Sequence, residues 1–167
     1  MAERRAFEEI YRIFEPSIHR FCISQVRDVQ LADDITGDVF ISAFRAYRRS
    51  RTEPDNIQAW LFQIARNKIT DHRRRHMVWQ RVWGTLRGRA TVSADIESVA
   101  AVREDLRDVL VAMVELSARD QLLIGLRHAA ELSFAEIAAT LNISERSAST
   151  GTYRALARLR HKLGRDL

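Results

Sequence analysis

The chain has 167 residues and a formal net charge of +5, and 25 of its 27 basic residues are arginine, the side chain best suited to bidentate phosphate and base-edge contacts. A lone cysteine, Cys22, excludes an internal disulfide and any multi-thiolate metal site. No stretch has the length and apolarity of a membrane span, and no apolar run follows Met1-Ala-Glu-Arg-Arg5 as it would in a secretory leader, so a cytoplasmic protein is expected.

Charge is unevenly distributed. Residues 1–59 carry nine positive and ten negative side chains, 60–90 eight against one, 91–144 four against nine, and 145–167 six against two. Two basic islands therefore flank a net acidic segment, a pattern that suits a polyanion contacted at two places. A solvated surface in an arginine-rich chain is the plainer alternative.

Glycine and proline are scarce, and apolar residues recur at three and four, which predicts an all-helical protein. The first helical pattern spans about 3–26, with Phe7, Ile10, Phe14, Ile18 and Phe21 on one side and Pro16 predicting a kink or two shorter helices. The second spans about 31–47, where Ile35, Val39, Phe40, Ala43, Phe44 and Tyr47 share a face, with Asp34 and Asp38 opposite. Residues 48–56 read as a basic loop, ending in Asp55 or Asn56 as the cap of the next helix.

That helix is amphipathic and turns strongly basic towards Arg73-Arg74-Arg75. Ile57, Trp60, Leu61, Ile64 and Ala65 form its apolar stripe, so Trp60 reads either as core or as a platform for an unstacked base. Arg73 and Arg74 suit phosphates, or they relax the helix dipole. Periodicity fades over 76–97, which predicts a flexible linker carrying Trp79 and Trp83.

Helical pattern resumes over about 98–115. Ser117 then caps a helix of about 118–129. Ser133-Phe-Ala-Glu136 is a capping box opening a short helix to Thr140, Leu141-Asn142-Ile143 forms a tight turn, and Ser144 caps a last helix to about Lys162. A short helix, a three-residue turn and a longer basic helix make a helix-turn-helix pattern.

Catalytic constellations are not apparent. His72 and His76 lie one turn apart without a third ligand, no glycine-rich phosphate loop is visible, and acidic residues are spread over helix surfaces. The expectation is a binding protein, not an enzyme, with no metal and no cofactor.

Two separated segments resemble bacterial sigma factors of the extracytoplasmic-function type. Leu31-Ala-Asp-Asp-Ile-Thr-Gly-Asp-Val-Phe40 resembles the family's region 2.2. Ala59-Trp-Leu-Phe-Gln-Ile-Ala-Arg-Asn67, with Asp71 and Arg73-Arg74, resembles regions 2.3 to 2.4. Leu116-Ser-Ala-Arg-Asp120, Leu132 to Glu145 and Arg154 to Arg160 resemble region 4. The resemblance implies two small all-helical domains, at 1–76 and 98–167, joined by a flexible linker at 77–97. It implies a promoter-specificity subunit that pairs with core RNA polymerase and promoter DNA, and that can be held by an anti-sigma factor.

The resemblance also implies residue roles. Asp33, Asp34, Asp38 and Phe40 would bind the polymerase clamp coiled coil, and region 4 its flap. Arg48, Arg49, Arg51, Asn56, Trp60, Arg66, Asn67, Arg73 and Arg74 would engage the −10 element. Ser144, Arg146, Ser147, Ser149, Thr150, Tyr153, Arg154 and Arg158 would read the −35 element. Ser149 and Gly151 stand where the family carries basic residues, so Gly151 is expected on the DNA-facing side of a weakened recognition helix. The alternatives are a stand-alone helix-turn-helix regulator, and a helical interaction protein whose DNA-reading face has decayed.

Overall fold

A computed structural model describes residues 5–50, 52–83 and 104–164, with side chains described outside 78–83 and 104–107. The described residues form helices and connecting turns: α1 (Phe7–Val26), α2 (Val29–Arg49), α3 (Ile57–Trp83), α4 (Glu104–Val114), α5 (Ala118–Ile124), a π-helical turn (Gly125–Ala129), α6 (Phe134–Leu141) and α7 (Glu145–Lys162).

Local chemistry sets most of the boundaries. Asp28 accepts from Leu31 N at 3.1 Å and opens α2, after Arg27 ends α1 in the left-handed region at φ 59°. Asn56 accepts from Ala59 N at 2.8 Å and opens α3, resolving the two caps the sequence offered. Ser117 caps α5, and Ser133 with Glu136 closes a complete capping box on α6. Asn142 makes the sharp turn between α6 and α7 at φ 53°, an angle asparagine tolerates better than most residues, and Ser144 caps α7.

Two expectations are revised. Pro16 does not divide α1: the helix is continuous, anchored by fully buried Ile10 and Ile18 on either side, so burial outweighs one lost backbone hydrogen bond. The third helix does not stop near residue 76 but continues to Trp83, through the first part of the expected linker. The remainder of that linker, 84–97, and the start of the helix expected from residue 98 lie outside the described residues.

In the N-terminal half α1, α2 and α3 pack on one another. Phe21 and Phe62 meet edge to face at 5.5 Å, and Phe7 and Tyr11 cover Phe40 from α1. The C-terminal half has a small second core, in which Met113 and Leu116 meet Ile124, Ala155 and Leu159. The main core does not stop at the boundary between the halves. Phe21, Leu61, Phe62 and Ala65 belong to the same buried cluster as Leu123, Leu126, Leu132 and Ile137. Helix α6 lies against α3, and the π-helical turn lies against α1.

Candidate nucleic-acid and polymerase interface

Helix α2 divides its surface cleanly. Ala32, Ile35, Val39 and Ala43 face the core, while Asp34 and Asp38 are exposed one turn apart and Arg45 two turns further on. Ile41, half exposed, lies on the same outer face and was not singled out by the sequence. An acidic face with one apolar residue can pair with a basic helical partner. Asp33 is also exposed, but its carboxylate meets His19 Nε2 at 2.7 Å, which ties α2 to α1. Phe40 is a correction: it is only 4 % exposed, enclosed by Phe7 and Tyr11, and supports this face from beneath without being part of it.

The predicted −10 residues fall into three groups. Arg49, Asn67 and Arg74 are exposed, and Arg48 lies over the Phe44 ring at 5.6 Å with its charge towards solvent. Arg51 lies outside the described residues. Asn56 and Trp60 have structural duties: the Asn56 side-chain oxygen caps α3, and half-buried Trp60 packs on the core with its ring 6.4 Å from Tyr47. Tyr47 in turn donates its hydroxyl to Arg5 O at 2.9 Å, which fastens the N-terminal segment across the end of α2.

Arg66 and Arg73 point towards the C-terminal half. Arg73 donates to Gln25 O at 3.0 Å, with Gln25 Oε1 and Gln121 Oε1 each at 3.4 Å. Arg66, Arg73 and Arg119 line a cavity of about 170 Å³ between α1, α3 and α5, floored by Phe21, Ile69 and Leu122. Arg73 is therefore engaged within the protein, where the sequence placed it on DNA.

In the C-terminal half, Arg146, Thr150, Tyr153 and Arg154 are exposed along one side of α7. Tyr153 packs its ring 5.7 Å from Phe134 of α6, over which Arg127 sits at 5.2 Å, so the two helices of the motif are braced by an aromatic and cationic stack. Ser144 and Ser147 are engaged with each other at 2.8 Å while Ser144 caps the helix, and Ser149 is half buried. Arg158 pairs with Asp120 Oδ1 at 2.9 Å, clasping α7 to α5.

An open groove of about 750 Å³ runs between α5 and α7, with Arg119, Arg146, Arg154, Arg158 and Lys162 along it. Two of these cations are already paired, Arg158 with Asp120 and Lys162 with Glu115 at 2.8 Å. Arg119 and Lys162 were missed because neither lies on the recognition-helix segment that the sequence pattern marks. Gly151 also lines the groove, but a Cβ there would stand 3.0 Å from Leu123 Cδ1 of α5. A side chain at 151 would thus meet α5, which corrects the expectation that this position faces DNA directly.

Electrostatics follow burial. The Glu136 carboxyl is held below its usual range, chiefly by the hydrogen bond from the Ser133 backbone, with Gln58 of α3 also contributing. Burial pushes the Cys22 thiol up to about 11, against a smaller opposing pull from the Thr36 hydroxyl. Burial lowers the pKa of Arg27 and of Arg73, and Arg73 lowers that of Arg27 further by like-charge repulsion. Among the described residues no cluster of three or more metal-ligating side chains occurs, and no helix is long and apolar enough to cross a membrane.

The arrangement matches known proteins throughout its length. The Sigma-70 region 2 family model matches residues 10–77, and the Sigma-70, region 4 model matches 112–161. The chain is 30 % identical to ECF RNA polymerase sigma factor SigM of Bacillus subtilis, over 92 % of each chain. It is 30 % identical to RNA polymerase sigma factor CarQ of Myxococcus xanthus, over 95 % of this chain and 90 % of that one. Among solved structures it resembles sigma factor RpoE, in its complex with the anti-sigma factor NepR from Bartonella quintana, with a TM-score of 0.71, 26 % identity, and coverage of 96 % and 98 %. With region 2 carried on α1 to α3, region 4 on α5 to α7, and a relative of 30 % identity spanning nearly all of both, the chain belongs to the extracytoplasmic-function sigma factors of the sigma-70 family.

Proposed function

We propose that this sigma factor acts by binding alone, holding core RNA polymerase through α2 while its two basic faces engage promoter DNA. The outer face of α2, with Asp34, Asp38 and Ile41, docks on a basic coiled coil of the polymerase clamp. The exposed arginines at the end of α2 and along α3 meet the −10 element. The groove between α5 and α7 takes the −35 duplex, with Arg146, Thr150, Tyr153 and Arg154 towards the bases and Arg119 towards a phosphate. The observation that carries this reading is the separation of faces: each half buries one apolar side and leaves a charged side exposed.

The protein works in the cytoplasm, where its polymerase is. An anti-sigma factor holds it in the inactive state, as the RpoE relative is held in a complex with NepR. A stand-alone regulator would not need the acidic outer face of α2. Reversing that face tests the reading: D34R with D38R weakens core-polymerase binding at least tenfold, by surface plasmon resonance, without changing the melting temperature. Binding equal to the wild type's removes α2 from the docking role.

A further inference from the structure

The cavity of about 170 Å³ between α1, α3 and α5 brings three arginines and an apolar floor together without an anion. One wall is a single stripe of α3: Arg66, Ile69, Thr70 and Arg73 recur at i, i+3, i+4 and i+7, so they share one face of the helix. Arg119 comes from the first turn of α5, and Phe21, Ile69 and Leu122 form the floor. The walls are held by direct bonds. Gln25 of α1 donates to Gln121 O of α5 at 3.0 Å in a buried bond. Gly125 lets α1 lie close, since a Cβ on it would collide with Gln25 Nε2. The cavity therefore has fixed dimensions before any ligand arrives.

Its charge is uncompensated. Among the described residues no carboxylate lines the cavity, and neither the Arg66 nor the Arg119 side chain has a hydrogen bond or ion pair to a described residue. Arg73 donates through one terminal nitrogen only, to neutral oxygens of Gln25 and Gln121, which leaves its remaining N–H groups without an acceptor among the described residues. Arg27 donates to the same Gln121 Oε1 at 3.0 Å, and its Nε is buried without a partner. Burial lowers the pKa of both Arg73 and Arg27. Cations gathered in a partly buried space and satisfied only by neutral groups are costly, and an anion among them removes that cost.

The dimensions and the floor select the kind of anion. At about 30 Å³ per water the cavity has room for about six waters, which suits a compound of roughly ten non-hydrogen atoms and not a nucleotide. Three guanidinium groups favour a doubly charged head, held by charge-assisted and bidentate bonds. The Phe21, Ile69 and Leu122 floor requires an apolar body on that head. A phosphate within a nucleic-acid backbone does not meet these conditions, because it is a singly charged diester flanked by two sugars.

We propose that this cavity is a binding site for a small, doubly charged organic anion, an aryl or alkyl phosphate in class, whose head is held by Arg66, Arg73 and Arg119 and whose apolar body rests on Phe21, Ile69 and Leu122. The site goes beyond the sigma-factor reading and does not depend on it. Arg66 is its diagnostic residue, because Arg119 also borders the groove between α5 and α7, whereas Arg66 lines only this cavity.

The test titrates the full chain with phenyl phosphate by calorimetry, in a phosphate-free chloride buffer at neutral pH. One site per chain is expected, with a dissociation constant below about 1 mM. Inorganic phosphate, which has the head without the body, and phenol, which has the body without the head, each bind at least about tenfold more weakly. R66A and R119A each weaken phenyl phosphate binding by about tenfold or more, the loss expected for one charge-assisted bond. R12A removes an exposed cation of α1 that does not line the cavity and leaves the affinity within about twofold. In the wild-type chain, nuclear Overhauser contacts join the phenyl protons to the methyl groups of Ile69 and Leu122.

The contacts in the wild-type chain decide the matter even if an arginine variant loses stability. No saturable binding, inorganic phosphate bound as tightly as phenyl phosphate, R12A as damaging as R66A, or a bound phenyl ring without contacts to Ile69 and Leu122 each overturns the site. Failure of the chain to bind core polymerase overturns the sigma-factor reading and leaves the site in place.

Discussion

The salt dependence of duplex binding provides a quantitative test of the C-terminal groove. Of its five cations, Arg158 is paired with Asp120 and Lys162 with Glu115, which leaves Arg119, Arg146 and Arg154 without an acid partner among the described residues. Each phosphate neutralised contributes about −0.9 to the slope of log affinity against log salt. Replacing Arg146 and Arg154 together by alanine therefore reduces the steepness of that slope by about 1.8, whatever the N-terminal half contributes, because that part is common to both proteins. Between 50 and 200 mM KCl the wild type should lose about twelve times more affinity than the double variant. Fluorescence anisotropy with a labelled duplex of fixed sequence, titrated at four or more salt concentrations, measures this directly. R158A is the internal control. Its cation is already neutralised, so the slope changes by much less than one unit, whereas the melting temperature falls because Asp120, which is mostly buried, loses its partner. Equal slopes for the wild type and the R146A/R154A variant, or a larger slope change for R158A than for either exposed arginine, would refute the assignment of the groove as the duplex-binding face.

Three further outcomes follow from packing and capping. F62A deletes a fully buried ring that meets Phe21 edge to face, which costs about 3–5 kcal/mol and lowers the melting temperature by roughly 6–20 °C in a scan by circular dichroism; a shift under about 2 °C would mean that α3 is not anchored there. The Glu136 carboxyl has a folded pKa below its unfolded value, so its contribution is present above the unfolded pKa and is lost as pH falls through the folded one. The melting-temperature advantage of wild type over E136Q should accordingly shrink from neutral pH to below the carboxylate range; an advantage that grows on acidification contradicts the capping geometry. G151A removes a helix-interior glycine, a gain of about 0.5–1 kcal/mol, but sets a methyl 3.0 Å from Leu123 Cδ1, so the two effects nearly cancel and the melting temperature moves by no more than about 2 °C. A large loss would show that Leu123 cannot yield at all.

Much of the fold was legible because helix boundaries are written in local chemistry. Asn56, Ser117, Ser133 and Ser144 each cap a helix that the apolar spacing already marked, and the region 2 and region 4 motifs lie on the expected helices. The end of α3 was set too early: Val78, Trp79, Val82 and Trp83 recur at three and four and carry the helical pattern on, with no stop signal before Gly84. Phe40 illustrates a limit of reading motifs: it belongs to the apolar stripe of α2, yet it also ends the motif from which the docking face was inferred.

The contact between the halves left no trace that spacing could reveal. Gln25 and Gln121 are 96 residues apart, and glutamine in a helix ordinarily signals only a polar surface. Nothing in the sequence marks Gly125; the close approach it permits is visible only when α1 is laid across it. Arg73 is assigned to DNA by its charge and by its place in the segment that resembles regions 2.3 to 2.4. In the structure the same charge is engaged within the protein.

The central claim, that this chain confers promoter choice on RNA polymerase, is tested most directly by run-off transcription from fragmented genomic DNA with purified core polymerase of the same organism, with and without the protein. Discrete transcripts that start at shared −10 and −35 sequences, appear only when the chain is added, and weaken in the D34R/D38R variant are the predicted result. Core polymerase that gives the same transcripts with and without the chain would contradict the account.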